Sequence, residues 1–190
     1  IFGADRVLAA ATYMQAHIEA PGVIHNEGTT QVVIGALVDT MKEEAEKVVE
    51  VFKSAGIKTK VHDNIIESKW KKLLWNATFN PLSALTKATV GDILDDEELR
   101  KTAEGVCREV MLIAEKNGTP LKEKMFNITF ANAEYARHHQ PSMLQDRLNG
   151  KKMEVESLAG YFVHKGRAFG VDTPHIQAIY STLRYIDRNM

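Results

Sequence analysis

One strongly apolar stretch of the sequence, residues 69–86, carries three polar side chains at a regular spacing. Lys72, Asn76 and Asn80 follow one another at intervals of four residues. In an α-helix, residues four apart drift by only about 40° around the axis, so the three side chains project from one stripe. The stretch is therefore predicted to be a helix with one polar stripe. An ammonium and two neutral amides on a single wall are suited to holding a small polar molecule.

The residues around this stripe argue against full exposure to solvent. A lysine on a helix is most often an ordinary surface charge, and composition alone favours that interpretation for Lys72. The flanking residues prefer burial, so Asn76 and Asn80 are expected to be partly buried and to need hydrogen-bond partners. Pro81 removes one backbone donor and is expected to kink or break the helix where the amides converge. The flanking apolar residues are Trp70, Leu73, Leu74, Trp75, Phe79 and Leu82.

Length, charge and cysteine content limit the class of protein. The 190 residues can form one domain, or a small domain with part of another, and 44% hydrophobic content is sufficient for a core. With 24 basic and 25 acidic side chains, the net charge of −1 gives no indication of nucleic acid or an anionic membrane as a partner. No apolar run approaches the roughly 18 residues of a membrane span, and no signal-peptide pattern opens the chain. The single cysteine, Cys107, excludes an internal disulfide, so we expect a cytoplasmic protein.

The first third of the chain has an α/β pattern. Asp39 or Thr40 is predicted to cap its helix and Gly56 to end it. The segment is short for an independent domain and opens at Ile1 as if within one, so we expect a fragment whose sheet lacks earlier strands. In chain order, the predicted elements are strands at residues 7–13, 22–25 and 31–35, a helix at 41–55 and a strand at 57–62.

From residue 64 onward the strand signals disappear and helical patterns follow one another. Asp95 or Asp96 is predicted to open one helix, and cap-proline pairs at Thr119–Pro120 and Thr173–Pro174 are predicted to open two others. The boundary near residue 63 is expected to be a tight junction, because the sequence has no flexible linker there. The predicted helices cover residues 65–86, 95–117, 119–138, 151–169 and 173–189.

Several separated motifs together resemble the ketopantoate reductase family. They are KWKKLLWNATFNPLSALT at residues 69–86, Gly91-Asp92-Ile93-Leu94, Pro141-Ser142-Met143-Leu144-Gln145-Asp146, and Glu154 with Gly160-Tyr161. The resemblance covers essentially the whole chain and is strongest from residue 69 to residue 170. It implies that residues 1–62 are a Rossmann-like remnant, the closing strands and last helix of a nucleotide-binding domain. Residues 63–190 would then be an all-α helical substrate-binding domain of the 6-phosphogluconate dehydrogenase C-terminal type.

The resemblance also implies an activity, a cofactor and a set of site residues. The family reduces 2-dehydropantoate, or ketopantoate, to pantoate with NADPH, a step toward pantothenate and coenzyme A. The catalytic lysine of the family falls on Lys72 as general acid. Its active-site asparagines fall on Asn76 and Asn80, its substrate-binding serine on Ser142 and its motif glutamate on Glu154. A positioned ammonium can stabilise the charge that hydride addition leaves on the ketone oxygen and can deliver the proton.

Two of these residues would not be selected without the resemblance. A Pro-Ser pair before apolar residues is most often a helix cap, so Ser142 alone suggests a structural role. Glu154 lies in the predicted first turn of a helix, where the helix dipole favours an acidic side chain. With the resemblance, Ser142 and the two amides suit a substrate carboxylate, and Glu154 suits a hydroxyl. The adjacent His138 and His139 point in different directions on a helix, so no metal site is expected.

The sequence lacks the fingerprint of dinucleotide binding. None of the 12 glycines forms even a GxG pair, whereas a Rossmann domain needs GxGxxG beside the pyrophosphate. We therefore expect these 190 residues alone to bind NADPH poorly and to be inactive or nearly so. Two alternatives stay open at this point. The chain could be a non-catalytic helical module that forms a homodimer or binds a partner, or a reductase of another 2-keto acid with the same lysine.

Overall fold

A computed structural model describes residues 2–190 of the chain, apart from the side chains of residues 15, 17 and 27–29. The chain divides into two compact units, the first ending at Trp70 and the second comprising Lys71–Met190. The first unit contains a three-stranded sheet and a helix, and the second is helical throughout its regular structure. The predicted class, an α/β part followed by an all-α part, is confirmed. The assignment of residues 1–62 and 63–190 to a nucleotide-binding remnant and a substrate domain stays a prediction.

The sheet of the first unit is built on a long hairpin. Strands β1 (Leu8–Ala20) and β2 (Val23–Ala36) pair in antiparallel fashion, and Gly22 closes the turn at φ +81°, a backbone angle that favours glycine. Strand β3 (Lys58–Val61) lies parallel to β2, which gives the order β1-β2-β3. The sheet thus has β2 at its centre.

The strands at residues 22–25 and 31–35, predicted as separate, are parts of the single strand β2. The sequence between them interrupts the apolar alternation and contains Gly28, which favours a turn. In the structure, this interruption coincides with a shift of register between Tyr13 and Gln15 on the facing strand β1. Such a shift increases the local twist of a strand pair without ending either strand.

Helix α1 (Lys42–Ser54) covers one face of this sheet. Its N-terminus is not capped by Asp39 or Thr40, because a short 3₁₀ turn occupies Asp39–Met41 and no side chain bonds the first free amides. Gly56 follows the helix with φ +77°, as predicted for its end. The buried contacts between helix and sheet involve Val32, Ile34, Ala45 and Val49.

Helix α2 (Ile65–Thr86) has the bounds that the sequence predicted. Pro81 lies inside the helix, which continues to Thr86, so the break does not occur, and the alternative of a kink stays a prediction. The missing hydrogen bond is tolerated because the flanking residues Phe79 and Leu82 are buried and hold both sides of the proline in the core.

The second unit contains six further helices in the described residues. The first and fourth of these, with six and seven residues, were not predicted because so short a segment cannot display a helical period. No helix in the described part of the chain is both long and apolar enough for a membrane crossing. The six are α3 (Val90–Asp95), α4 (Glu97–Lys116), α5 (Glu123–Tyr135), α6 (Ser142–Leu148), α7 (Tyr161–Phe169) and α8 (Pro174–Arg188).

The predicted helix starts had mixed outcomes. Asp96 caps α4, because its carboxylate accepts hydrogen bonds from the amides of Glu98 and Leu99. The pair Thr119–Pro120 does not open α5, which begins at Glu123. The reason is that the amide of Thr119 bonds the carbonyl of Ala114 at 2.9 Å and so completes the end of α4.

The helix predicted to start at residue 151 begins later and differently. Residues 151–154 are not helical, and a π-helical turn at Glu156–Gly160 leads into α7. Glu154 therefore lies just before the helical turns and not within a first turn of an α-helix. Its carbonyl still accepts the amide of Leu158 at 3.1 Å, which joins it to the π-helical turn.

The N-terminus of α8 is capped by a side chain from another helix. Pro174 opens α8 as predicted, yet the side chain of Thr173 makes no capping bond. The carboxylate of Glu109 in α4, with 5% of the residue exposed, accepts the amides of His175 at 2.9 Å and Ile176 at 3.0 Å. It also lies 2.7 Å from Nδ1 of His175. A buried negative charge at a helix N-terminus is favourable because free amides converge there.

Replacing Glu109 by glutamine should destabilise the chain. The amide group has only one oxygen, so one of the two backbone amides loses its acceptor, and the favourable charge at the helix terminus is removed. We expect a loss of about 2 kcal/mol in the free energy of unfolding, measured by urea denaturation. Glu115→Gln, at an exposed position of the same helix, is the matched control. Equal stability of the two variants would contradict the capping role of Glu109.

Candidate active site

The three polar residues of α2 become more buried along the helix. Lys72 and Asn76 are partly exposed, and Asn80 is only 4% exposed. All three belong to the second unit. The polar wall predicted from the spacing therefore runs from an accessible ammonium to an amide that is embedded among apolar side chains.

The buried amide of Asn80 finds a partner on another helix. Its Nδ2 donates a hydrogen bond to Oγ of Ser142 over 3.3 Å, joining two residues that are 62 positions apart in the sequence. Ser142 is the first residue of α6 and makes no capping bond, so the helix cap suggested by its sequence context is wrong. Because Oγ accepts from Asn80, the hydroxyl proton of the exposed Ser142 can be donated to a ligand. An acceptor such as a carboxylate suits that arrangement.

Burial lowers the pKa of Lys72 below the usual lysine value of 10.5. The cause is desolvation, which disfavours the charged ammonium. A lysine with a lowered pKa gives up its proton more readily and is a better general acid near neutral pH. The general-acid role that the family resemblance implies for Lys72 stays a prediction.

The titration of Lys72 can be measured directly. We expect its ε-ammonium, followed by heteronuclear NMR and assigned with the Lys72→Arg variant, to titrate below 10.5. Since the folded-state pKa lies below that of the unfolded chain, the ammonium opposes folding at neutral pH, and this opposition disappears as the pH rises past the unfolded value. The stability of the wild type relative to Lys72→Met should therefore increase as the pH rises from the folded-state pKa to the unfolded-state pKa. A pKa at or above 10.5 would show that the amine is not desolvated.

Glu154 lies beside a pocket of about 440 Å³ in the second unit. This pocket is lined by residues 153–157 and by the C-terminal turns of α8, including Arg184, Asp187 and Arg188. Among the described residues, its lining contains none of the three polar residues of α2. A hydrogen bond therefore joins Asn80 to Ser142, while Glu154 lies in a pocket that contains neither of them.

The segment after Glu154 is fixed to α8 by a second carboxylate. Both oxygens of Glu156 accept the hydroxyl of Tyr180 at 3.0 Å, and Nε of Arg184 lies 3.3 Å from Glu156. Burial and the neighbouring carboxylate raise the pKa of Tyr180. The amide of Met153 donates to Asp187 at 2.8 Å. The chain is thus bound to α8 on both sides of Glu154, by the backbone amide of Met153 and by the side chain of Glu156.

Ser83 extends the polar stripe of α2 and was not selected from the sequence. It lies about 20° around the helix axis from Lys72, which places it between Lys72 and Asn76 in projection. The residue is fully buried, and its hydroxyl has no hydrogen-bond partner among the described residues. The spacing from Lys72 was the signal available in the sequence, but a helical serine usually bonds the carbonyl one turn earlier and attracts no notice.

The unpartnered hydroxyl of Ser83 predicts a stabilising substitution. Removing a buried group without a partner relieves its desolvation penalty, so Ser83→Ala should raise the free energy of unfolding by about 1 kcal/mol. Thr78→Val is the matched control, because the hydroxyl of Thr78 on the same helix bonds the carbonyl of Leu74 at 2.8 Å and its loss should destabilise. Both are measured by urea denaturation. A clear loss of stability in Ser83→Ala would show that its hydroxyl is bonded.

The described residues do not fit a dinucleotide or a metal ion. The N-terminus of α1, one of the helix starts in the first unit, carries the acidic residues Asp39, Glu43 and Glu44. Their charges would repel a pyrophosphate, which is held by glycine-rich turns and free amides in Rossmann domains. No group of three or more His, Cys, Asp or Glu in the described part of the chain could hold a metal.

Solved structures with the same fold define the class of protein. A PanE/ApbA family ketopantoate reductase from Ralstonia eutropha JMP134 matches with a TM-score of 0.87 and 25% identity, over 96% of this chain and 59% of that one. D-mandelate dehydrogenase in complex with NADH has a TM-score of 0.91 at 21% identity, over 98% of this chain and 64% of that one, which shows the fold alone. The fold is therefore one used by oxidoreductases of keto and hydroxy acids.

Sequence comparison identifies the family within this class. The family described as "Ketopantoate reductase PanE/ApbA C terminal" matches residues 64–187. The 2-dehydropantoate 2-reductase of Pyrococcus abyssi is 32% identical over 169 residues, which is 89% of this chain and 56% of that protein. The enzyme of the same name from Mesorhizobium japonicum is 30% identical over 182 residues, 96% of this chain and 56% of that protein. The chain belongs to the ketopantoate reductase family and spans just over half the length of these relatives.

Proposed function

We propose that this chain supplies the keto-acid-binding and proton-donating part of a 2-dehydropantoate 2-reductase, which reduces ketopantoate to pantoate with NADPH. The observation that carries the proposal is the hydrogen bond from Asn80 to Ser142 at the end of the stripe that begins with the partly buried Lys72. A cytoplasmic location and a place in pantothenate and coenzyme A biosynthesis belong to the same proposal.

The proposed chemistry follows from the groups that a 2-keto acid presents. Its carboxylate accepts hydrogen bonds from the hydroxyl of Ser142 and the amide of Asn76. Its ketone oxygen then faces the ammonium of Lys72 on the same stripe. As a hydride adds to the ketone carbon, the electron pair of the C=O bond moves to oxygen, where the ammonium stabilises the charge and delivers a proton. The product is the 2-hydroxy acid, and Lys72 is left as the neutral amine.

Glu154 is the proposed determinant of substrate choice. Ketopantoate differs from simpler 2-keto acids by a terminal hydroxyl, and a carboxylate is a strong acceptor for such a group. Glu154 is exposed, and the proposal requires the terminal hydroxyl of a keto acid bound at the α2 stripe to reach it. A keto acid without the hydroxyl would gain nothing from Glu154, so this residue separates ketopantoate from the alternative of another 2-keto acid.

NADPH is the proposed reductant of the full reaction, although the described residues do not fit it. The sequence contains no GxGxxG, and α1 begins with acidic residues. We therefore expect this chain alone to bind NADPH weakly and to turn over ketopantoate little or not at all. Robust NADPH-dependent turnover by these 190 residues would overturn that expectation.

Calorimetric titration of the chain with ketopantoate tests the substrate-binding part of the proposal. Lys72→Met should weaken binding by about tenfold or more, because a charge-assisted contact with the substrate is lost. Lys69→Met, at an exposed position of the same helix, is the control and should bind as wild type does. No measurable binding by the wild type, or equal affinity of the two variants, would refute the proposed site.

A second titration tests the role of Glu154. Glu154→Gln should weaken binding of ketopantoate, while binding of 3,3-dimethyl-2-oxobutanoate, which lacks only the terminal hydroxyl, should not change. The comparison uses one protein pair and two ligands, so a general disturbance of the site would affect both affinities. An equal loss for both ligands would remove Glu154 from substrate selection.

The alternative function is that of a non-catalytic module that associates with itself. A dimeric ketopantoate reductase from Staphylococcus aureus shares this fold, with a TM-score of 0.83 at 23% identity. Sedimentation velocity of the wild-type chain separates the two ideas when combined with the titrations. A stable dimer that binds no keto acid would favour the module, whereas keto-acid binding by a monomer would exclude it.

A further inference from the structure

Helix α6 brings Ser142 to the polar stripe, yet it is too short to be stable by itself. It has seven residues, fewer than an isolated helix needs in water, so its place depends on contacts with the rest of the unit. Met143 and Leu144 are fully or almost fully buried and anchor its first turn. Apolar burial is not directional, however, and does not by itself fix how far the helix slides or rotates.

Polar contacts at both ends of α6 limit how far the helix can slide or rotate. At its start, Oγ of Ser142 accepts the amide of Asn80. Near its end, Nη1 of Arg147 donates to the backbone carbonyl of Ala84 and, at 2.7 Å, to that of Leu85. These carbonyls belong to the last turn of α2, where helical carbonyls lack partners in the helix and a positive charge is favourable.

The two contacts lie at separate points along both helices. Ser142 and Arg147 are five residues apart, as are Asn80 and Leu85. Five residues correspond to a rise of about 7.5 Å along an α-helix. Two contacts at separate points leave α6 less freedom to slide or rotate against α2 than either contact alone.

We propose that Arg147 is a positioning residue of the keto-acid site. By binding the C-terminal carbonyls of α2, its guanidinium holds α6 in the register that brings the Ser142 hydroxyl to the Asn80 amide. This inference rests on the proposed function for the identity of the ligand, but its structural part does not. Arg147 itself contacts no reacting group and acts through Ser142.

The test compares Arg147→Met, Arg147→Lys and wild type. Arg147→Met removes both hydrogen bonds and the charge, so the NMR signals of the Asn80 side-chain amide and the Ser142 backbone amide should shift. Its affinity for ketopantoate should fall about tenfold, the effect of one misplaced hydrogen-bond donor. Arg147→Lys keeps the charge at the helix terminus and should restore most of the affinity.

A stability-matched control separates positioning from general destabilisation. Glu109→Gln removes a helix-capping interaction between α4 and α8, so it should lower stability without moving the Asn80 and Ser142 signals or the affinity. Unchanged signals in Arg147→Met would overturn the proposal, and so would equal affinity losses in Arg147→Met and Glu109→Gln. If the wild type binds no keto acid, the proposed function fails, and the NMR comparison still decides the role of Arg147.

Discussion

The need to partner a buried amide governs the structure of the second unit. Asn80 is only 4% exposed, and an unsatisfied buried side-chain amide would cost about 1–3 kcal/mol. Its hydrogen bond to Ser142 therefore requires α6 to pack at one particular place on α2. The same contact leaves a hydroxyl proton at the surface of the unit. A requirement of stability and a binding feature thus arise from one interaction.

Helix ends in this unit are completed by charged side chains from neighbouring elements. Glu109 accepts the first amides of α8, and Arg147 donates to the last carbonyls of α2. Each side chain has the sign that the helix dipole favours at its position. Because both contacts join elements far apart in the sequence, they fix relative helix positions as well as capping the ends. Buried apolar groups supply most of the stabilisation, and these polar contacts supply the register.

The sequence predicted α2 to its end residues because the helix is long and its apolar pattern is continuous. The polar stripe and the link to the family were also accessible, since they depend on residue spacing and motif order. The partner of Asn80 and the roles of Arg147 and Glu109 were not, because they depend on contacts between residues more than 60 positions apart. The π-helical turn before α7 was not predicted for another reason. Its residue pattern in the sequence resembles that of an ordinary α-helix.

A double-mutant cycle on Asn80 and Ser142 tests the central claim most directly. The free energy of unfolding would be measured by urea denaturation for wild type, Asn80→Ala, Ser142→Ala and the double variant. If the two side chains are bonded, the losses should be non-additive, with a coupling energy of about 1 kcal/mol. Strictly additive losses would mean that the amide and the hydroxyl do not interact, and the account of α6 as the completing element of the site would be wrong.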